Sequence, residues 1–187
     1  MLKQVEKELN AAYCAREKAF HVQREIVPLC AQAIRDIQKN KYGQAERQLR
    51  KIRALIRRCE AILAKHPDLR MSVLGMAYQE YAELSIFLSL LKTKKMPKMD
   101  VPARFYLLGL GDAIGELKRE GMSLLSKHKL KEAEELKGEL EDLYYEFSKS
   151  TYPNSMVPGL KPKQDAMRRV LNDFNDSIQS HKLTRPR

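Results

Sequence analysis

The chain has 187 residues, of which 43% are hydrophobic and 32% charged, a balance that belongs to globular proteins and excludes a disordered chain. Its net charge of +11 admits two readings, a polyanionic partner or a solvated basic surface. No apolar run approaches the ~20 residues of a spanning helix, MLKQVEKELN has no signal-peptide core, and three scattered cysteines without C-x-x-C suggest neither a disulfide framework nor a zinc site, so one soluble, cytoplasmic domain is expected over 1–187.

Apolar residues recur at three- and four-residue intervals along nearly the whole chain, and bounded strand-like alternation is absent. The fold class is therefore all-α. A first helix is expected from Leu2 to Ile37, with a kink or break near Glu25 because Pro28 removes a backbone donor. This region and the next carry most of the charge: residues 1–70 hold 16 basic and 8 acidic side chains. After the turn KNKYG, a second helix over Gly43–Lys65 gathers Leu49, Ile52, Ile56, Cys59 and Leu63 into an apolar stripe. Arg47, Arg50, Lys51, Arg53, Arg57 and Arg58 occupy the rest of its surface, and His66-Pro67 ends it.

A third helix over Met71–Leu91 is the most apolar. The Pro97–Pro102 region separates it from a fourth over Ala103–Ser126. A fifth, Lys131–Ser150, sets Leu136, Leu140, Leu143, Tyr144 and Phe147 on one side and seven acids elsewhere, which reads as a solvated face. TYPNSMVPGLKP forms a connection, and Lys163–Ser180 a final helix.

The anomaly lies on the third helix. Val73, Met76, Leu84, Phe87 and Leu91 share a sector of the helical wheel, and Glu80 and Glu83 fall into it. An acid on an apolar face needs a cation, a hydrogen-bond network or a metal. The fourth helix adds Asp112 and Glu116 one turn apart, with Phe105 and Gly109 on the same side, the glycine allowing close approach of a neighbour. If the two helices pack antiparallel, the four carboxylates converge and require cations among them. Oxygen ligands without histidine favour Mg2+ or Mn2+. Such ions activate water and stabilise the leaving oxygen of a phosphodiester. Salt bridges to Arg119 or Arg104 are the alternative. Glu-x-x-His pairs, a phosphate loop and a nucleophile elbow are all missing.

The runs YQEYAELSIF (78–87) and YLLGLGDAIGELKR (106–119) resemble the translin superfamily, specifically its translin-associated factor X (TRAX) branch. There, Q-E-Y-x-E-A and Y-L-L-G-x-A-D-x-x-G-E-L-x-R occur in the same order. AREKAFHVQREIVPLCAQAIRDI is similar to the family's first-helix motif, and the compact length resembles archaeal members. The resemblance implies a translin-like bundle of six or seven helices that assembles into a hollow homo-oligomer, typically an octamer, with RNA inside.

In the TRAX branch four interior acids bind magnesium and catalyse endoribonuclease cleavage, in RNA silencing and transfer-RNA processing. They fall here on Glu80, Glu83, Asp112 and Glu116. Translin itself lacks this set and chiefly binds nucleic acid. The expected function is thus a Mg2+- or Mn2+-dependent endoribonuclease, the alternative a non-catalytic binder of single-stranded RNA or DNA. Gly111 departs from the family's usual alanine, with only a packing effect expected. Arg24 matches the first-helix motif, and Arg16, Lys18 and Arg35 are further nucleic-acid candidates by helical neighbourhood, unless they serve solvation or pair with Glu17 and Asp36. Arg119 could clamp phosphate or neutralise the acids. Tyr78 and Tyr81 are candidates for stacking on bases, or for core and interface. Tyr144, Tyr145, Phe147 and Phe174 are candidates for subunit contacts or for core.

Overall fold

The structure, a computed structural model, describes residues 1–183. Among these, seven α-helices account for nearly all regular structure: α1 (Leu2–Gln23), α2 (Ile26–Gln38), α3 (Tyr42–Ile62), α4 (Arg70–Thr93), α5 (Ala103–Ser126), α6 (Leu130–Ser148) and α7 (Leu160–Leu183), with a 3-10 turn at Pro67–Leu69. The expected first helix is two, because the chain breaks at Arg24-Glu25. Pro28 is the cause: it sits in the first turn of α2, where its missing donor would otherwise have continued α1. Pro162 likewise occupies the first turn of α7, where its missing donor is not required.

One apolar core joins all seven helices. Ile52, Ile56, Cys59 and Leu63 of the predicted stripe are buried and Leu49 is partly so. Phe147 and Phe174 are fully buried in the chain's own core, whereas Tyr145 stays 62% exposed. Met76 departs from its predicted sector: it is 63% exposed, because the covered arc of α4 is set by the helices around it and stops short of this edge.

The direction of α4 against α5 overturns the expected antiparallel pairing. Gly75 and Tyr78 meet Phe105, Gln79, Ala82 and Glu83 meet Gly109, and Leu90 and Leu117 line one cavity. Numbers rise together along both helices, so they run parallel. Residues 94–102 make this possible, since nine residues reach roughly 30 Å when extended and the segment returns along α4. Lys94 turns the chain in the left-handed region with φ 56°. Ser89 Oγ then donates to the Lys95 carbonyl at 2.8 Å, and Tyr106 Oη to the Pro97 carbonyl at 3.1 Å. The consequence is that α5 starts beside Gly75 and Tyr78 in the amino-terminal part of α4 and brings its Asp112 next to Gln79.

Candidate active site

Gly109 sets the spacing of the site. A Cβ at this position would lie 2.7 Å from both the Ala82 Cβ and the Gln79 carbonyl oxygen, and 2.9 Å from the Glu83 backbone nitrogen. Only a glycine lets α5 approach the α4 backbone this closely. One turn later Asp112 accepts a hydrogen bond from Gln79 Nε2 at 2.8 Å. Its other oxygen accepts from the ammonium of Lys163 in α7. Glu116, a further turn along, accepts from Gln38 Nε2 of α2 at 2.7 Å and has Arg119 Nη1 at 3.9 Å. Four helices thus contribute: α4 and α5 the acids, α2 and α7 the groups that hold two of them.

Glu80 and Glu83 take no hydrogen bond or ion pair from any other described residue. Burial pushes the Glu83 carboxyl up to about 8, and the negative charges of Asp112, Glu80 and Glu116 add to it, with Lys163 offsetting in part. Glu80 is raised by burial and by Asp112, again against Lys163. Asp112 is thus near enough to raise both Glu80 and Glu83, and Glu116 near enough to raise Glu83. Cys30 of α2 also borders them: its thiol is raised by burial first and then by Glu80 and Glu83, so it stays a neutral wall.

This donor set is all oxygen and carries more negative charge than its cations cancel, the chemistry suited to a hard divalent ion. Among the described residues no three His, Cys, Asp or Glu side chains are gathered closely enough to hold an ion. Asp112 is held instead by Lys163 and Gln79, Glu116 by Gln38. Salt bridging and carboxylate clustering therefore coexist, and the predicted partner Arg119 reaches only Glu116. Arg104 lies elsewhere, its guanidinium 4.5 Å above the Phe105 ring.

The other predicted residues scatter. Arg16 pairs with Glu17 at 2.6 Å and lies 4.5 Å from the Phe20 ring centre. Lys18 and Arg24 are exposed on and just after α1. Arg35, exposed on α2, donates to Gln32 Oε1 at 2.9 Å, one turn before Gln38. Of the five cations, Arg119 alone is brought to the acids. Tyr78 is removed from base stacking altogether: it is fully buried, packs 5.7 Å from Phe105, and donates its hydroxyl hydrogen to Glu60 at 2.6 Å while accepting from Arg70. Tyr81 is partly buried.

Sequence reasoning missed Lys163, Gln38 and Gln79. Gln79 was visible, since it shares a face with Glu83 one turn on. Nothing local marked Lys163 or Gln38, which reach the site from helices distant in the chain.

No protein-family model matches the sequence. An uncharacterized protein of Methanocaldococcus jannaschii, MJ0175, is 32% identical over 168 residues, covering 87% of this chain and 74% of that protein. AfC3PO, solved in complex with duplex RNA, superposes with a TM-score of 0.91 at 26% identity over 98% of this chain and 97% of that one. NeC3PO in its apo form superposes with a TM-score of 0.85 at 21% identity, over 96% of each chain. No helix among the described residues is long and apolar enough to cross a membrane. With its matching helices and their shared course, the chain belongs to one family with the Methanocaldococcus protein and has the fold of the C3PO-type proteins of the translin superfamily.

Proposed function

We propose that this protein is a divalent-metal-dependent endoribonuclease of the TRAX type, with Glu80, Glu83, Asp112 and Glu116 holding Mg2+ or Mn2+. The observation that carries the reading is the surplus of carboxylate where α4 meets α5: the close approach at Gly109 brings Asp112 near Glu80 and Glu83, and these two have no hydrogen-bond or ion-pair partner of their own. Similarity to a protein solved with duplex RNA supports RNA as the substrate. A bound divalent ion supplies Lewis-acid polarisation of a phosphodiester and a water of lowered pKa.

The chain's own residues do the rest. Gly109 holds the two acid-bearing helices together. Gln79 and Gln38 fix the rotamers of Asp112 and Glu116 by donating to one oxygen of each. Lys163 occupies Asp112 until the acids are needed, and its ammonium then stays close enough to meet a phosphate oxygen. Arg119, whose side chain is 68% exposed, offers a second donor for the RNA backbone. The protein works in the cytoplasm as a homo-oligomer, octameric by resemblance, and the uncovered amino half of α1 is available for subunit contacts: Leu2, Val5, Leu9 and Tyr13 there are 46% to 78% exposed.

Incubation of labelled RNA with the purified protein and Mg2+ tests the activity. Cleavage that stops with chelator and with Glu116→Ala supports it, and cleavage indifferent to both removes it. A second reading has its own observation: Lys163 and the two glutamines satisfy Asp112 and Glu116 without any metal. A protein that shelters RNA or single-stranded DNA without cutting would show salt-sensitive binding, no product, and full affinity after loss of the acids.

A further inference from the structure

α3 carries six cations within twelve residues, Arg47, Arg50, Lys51, Arg53, Arg57 and Arg58, and no acid between them. All six are exposed, on the side away from the buried Ile52, Leu55, Ile56 and Cys59. The acids that flank the run are already engaged: Glu46 by Lys92, Glu60 by Arg70 and Tyr78. None of the six makes an ion pair or hydrogen bond with another described residue. Some exposed cations elsewhere do pair, as in Lys161 with Asp165 and Lys182 with Glu134. Like charges three or four residues apart, 47 with 50 and 51, 50 with 53, and 53 with 57, repel one another along the helix. An opposing polyanion turns that repulsion into attraction.

We propose that the outward face of α3 is a second nucleic-acid contact surface, separate from the carboxylate site, that grips backbone phosphates of the RNA. The proposal rests on the RNA reading above for its ligand and extends it to a part of the molecule that reading leaves unused. α3 packs on α1, α2 and α4, and none of its six cations pairs with Glu80 or Glu83 of α4 or with Asp112 or Glu116 of α5. Between residues 47 and 58 the cations span about 16 Å of helix and stand in two rows, Arg50, Arg53 and Arg57 in one, Arg47, Lys51 and Arg58 in the other.

Three features favour phosphate of a nucleic acid over an anionic lipid surface. Five of the six cations are arginine, whose planar fork meets a phosphate through two hydrogen bonds. The exposed face between 47 and 58 offers no aromatic or long apolar side chain to enter a bilayer, Ala54 being the one uncharged residue among them. A cavity of about 360 Å3 beside the first row is lined by Arg53, Lys98 and the partly buried Tyr81, placing an aromatic ring next to the cations as single-strand grooves require.

The test is fluorescence anisotropy of a labelled RNA duplex and a labelled single strand with the full chain, across a series of KCl concentrations. The triple variant Arg50→Gln, Arg53→Gln, Arg57→Gln should bind roughly tenfold or more weakly at about 0.1 M salt, and its log-log salt slope should shrink by about 2 to 3. Lys182→Gln on α7, which removes an exposed cation paired with Glu134, should keep the native slope. A melting temperature of the triple variant equal to or above the native one shows that folding is not the cause. Unchanged affinity and slope in the triple variant overturn this proposal alone. Loss of binding only to phosphatidylserine-containing vesicles, with RNA binding intact, overturns it in favour of a lipid surface. No RNA binding by the native chain overturns the RNA reading and this proposal together.

Discussion

The ammonium of Lys163, at the start of α7, donates to Asp112 in α5, the acid whose charge raises both Glu80 and Glu83. Its side chain is 17% exposed and that of Asp112 30%, so the pair works in surroundings where charge is poorly screened. Lys163 is the cation that offsets both Glu80 and Glu83.

Removing that charge should make the protein depend on divalent ions for stability. Lys163→Met leaves the acids uncompensated and should cost about 2 kcal/mol at neutral pH in chelator. Added Mn2+ should then raise the melting temperature of the variant more than that of the native chain. Differential scanning fluorimetry with and without Mn2+ measures both, and equal responses would mean that the acids do not take up the ion.

Glu83 makes the stability of the metal-free protein depend on pH. A carboxyl raised in the folded state to about 8 from its ordinary 4.5 stabilises the fold while protonated. That contribution is complete below about 4.5 and is lost as pH rises through 8. Glu83→Gln should therefore melt close to the native chain near pH 4.5 and several degrees above it at pH 9. Thermal melts in EDTA across this range check the sign, and a gap that shrinks with rising pH would contradict it.

The close approach at Gly109 should be intolerant of a single methyl. Gly109→Ala forces the new Cβ into α4 backbone and should cost about 2 to 3 kcal/mol. Gly115→Ala, one and a half turns later, meets nothing within 4 Å and should stabilise by up to about 1 kcal/mol through helix propensity. Urea unfolding of the pair separates a packing cost from a propensity gain.

Arg119 should act on RNA rather than on the fold. It is mostly exposed and 3.9 Å from Glu116, so Arg119→Gln should change stability by less than about 0.5 kcal/mol. Cleavage at saturating Mg2+ should fall at least several-fold. A variant that loses stability but keeps its cleavage rate would assign Arg119 to the structure instead.

The helices were legible in the sequence because each buries a continuous apolar stripe and is bounded by proline or turn residues. The break at Arg24-Glu25 followed from Pro28, and the tight α4–α5 contact from Gly109. The direction of α5 was not legible, because the path of residues 94–102 is fixed by the left-handed turn at Lys94 and by single hydrogen bonds from Ser89 and Tyr106, which leave no periodic signal in the sequence. The same limit hid the burial of Tyr78, whose hydroxyl is satisfied by Glu60 from α3. The site was half visible: the misplaced acids of α4 announced themselves against an apolar helix face, while Lys163 and Gln38 are ordinary residues that gain a role only when α7 and α2 dock.

A crystal of the protein soaked in Mn2+ and measured for anomalous scattering tests the central claim most directly. The account predicts an anomalous peak among Glu80, Glu83, Asp112 and Glu116, with the Lys163 ammonium displaced from Asp112. Density with no peak there, and Lys163 still bonded to Asp112 in saturating Mn2+, would contradict it.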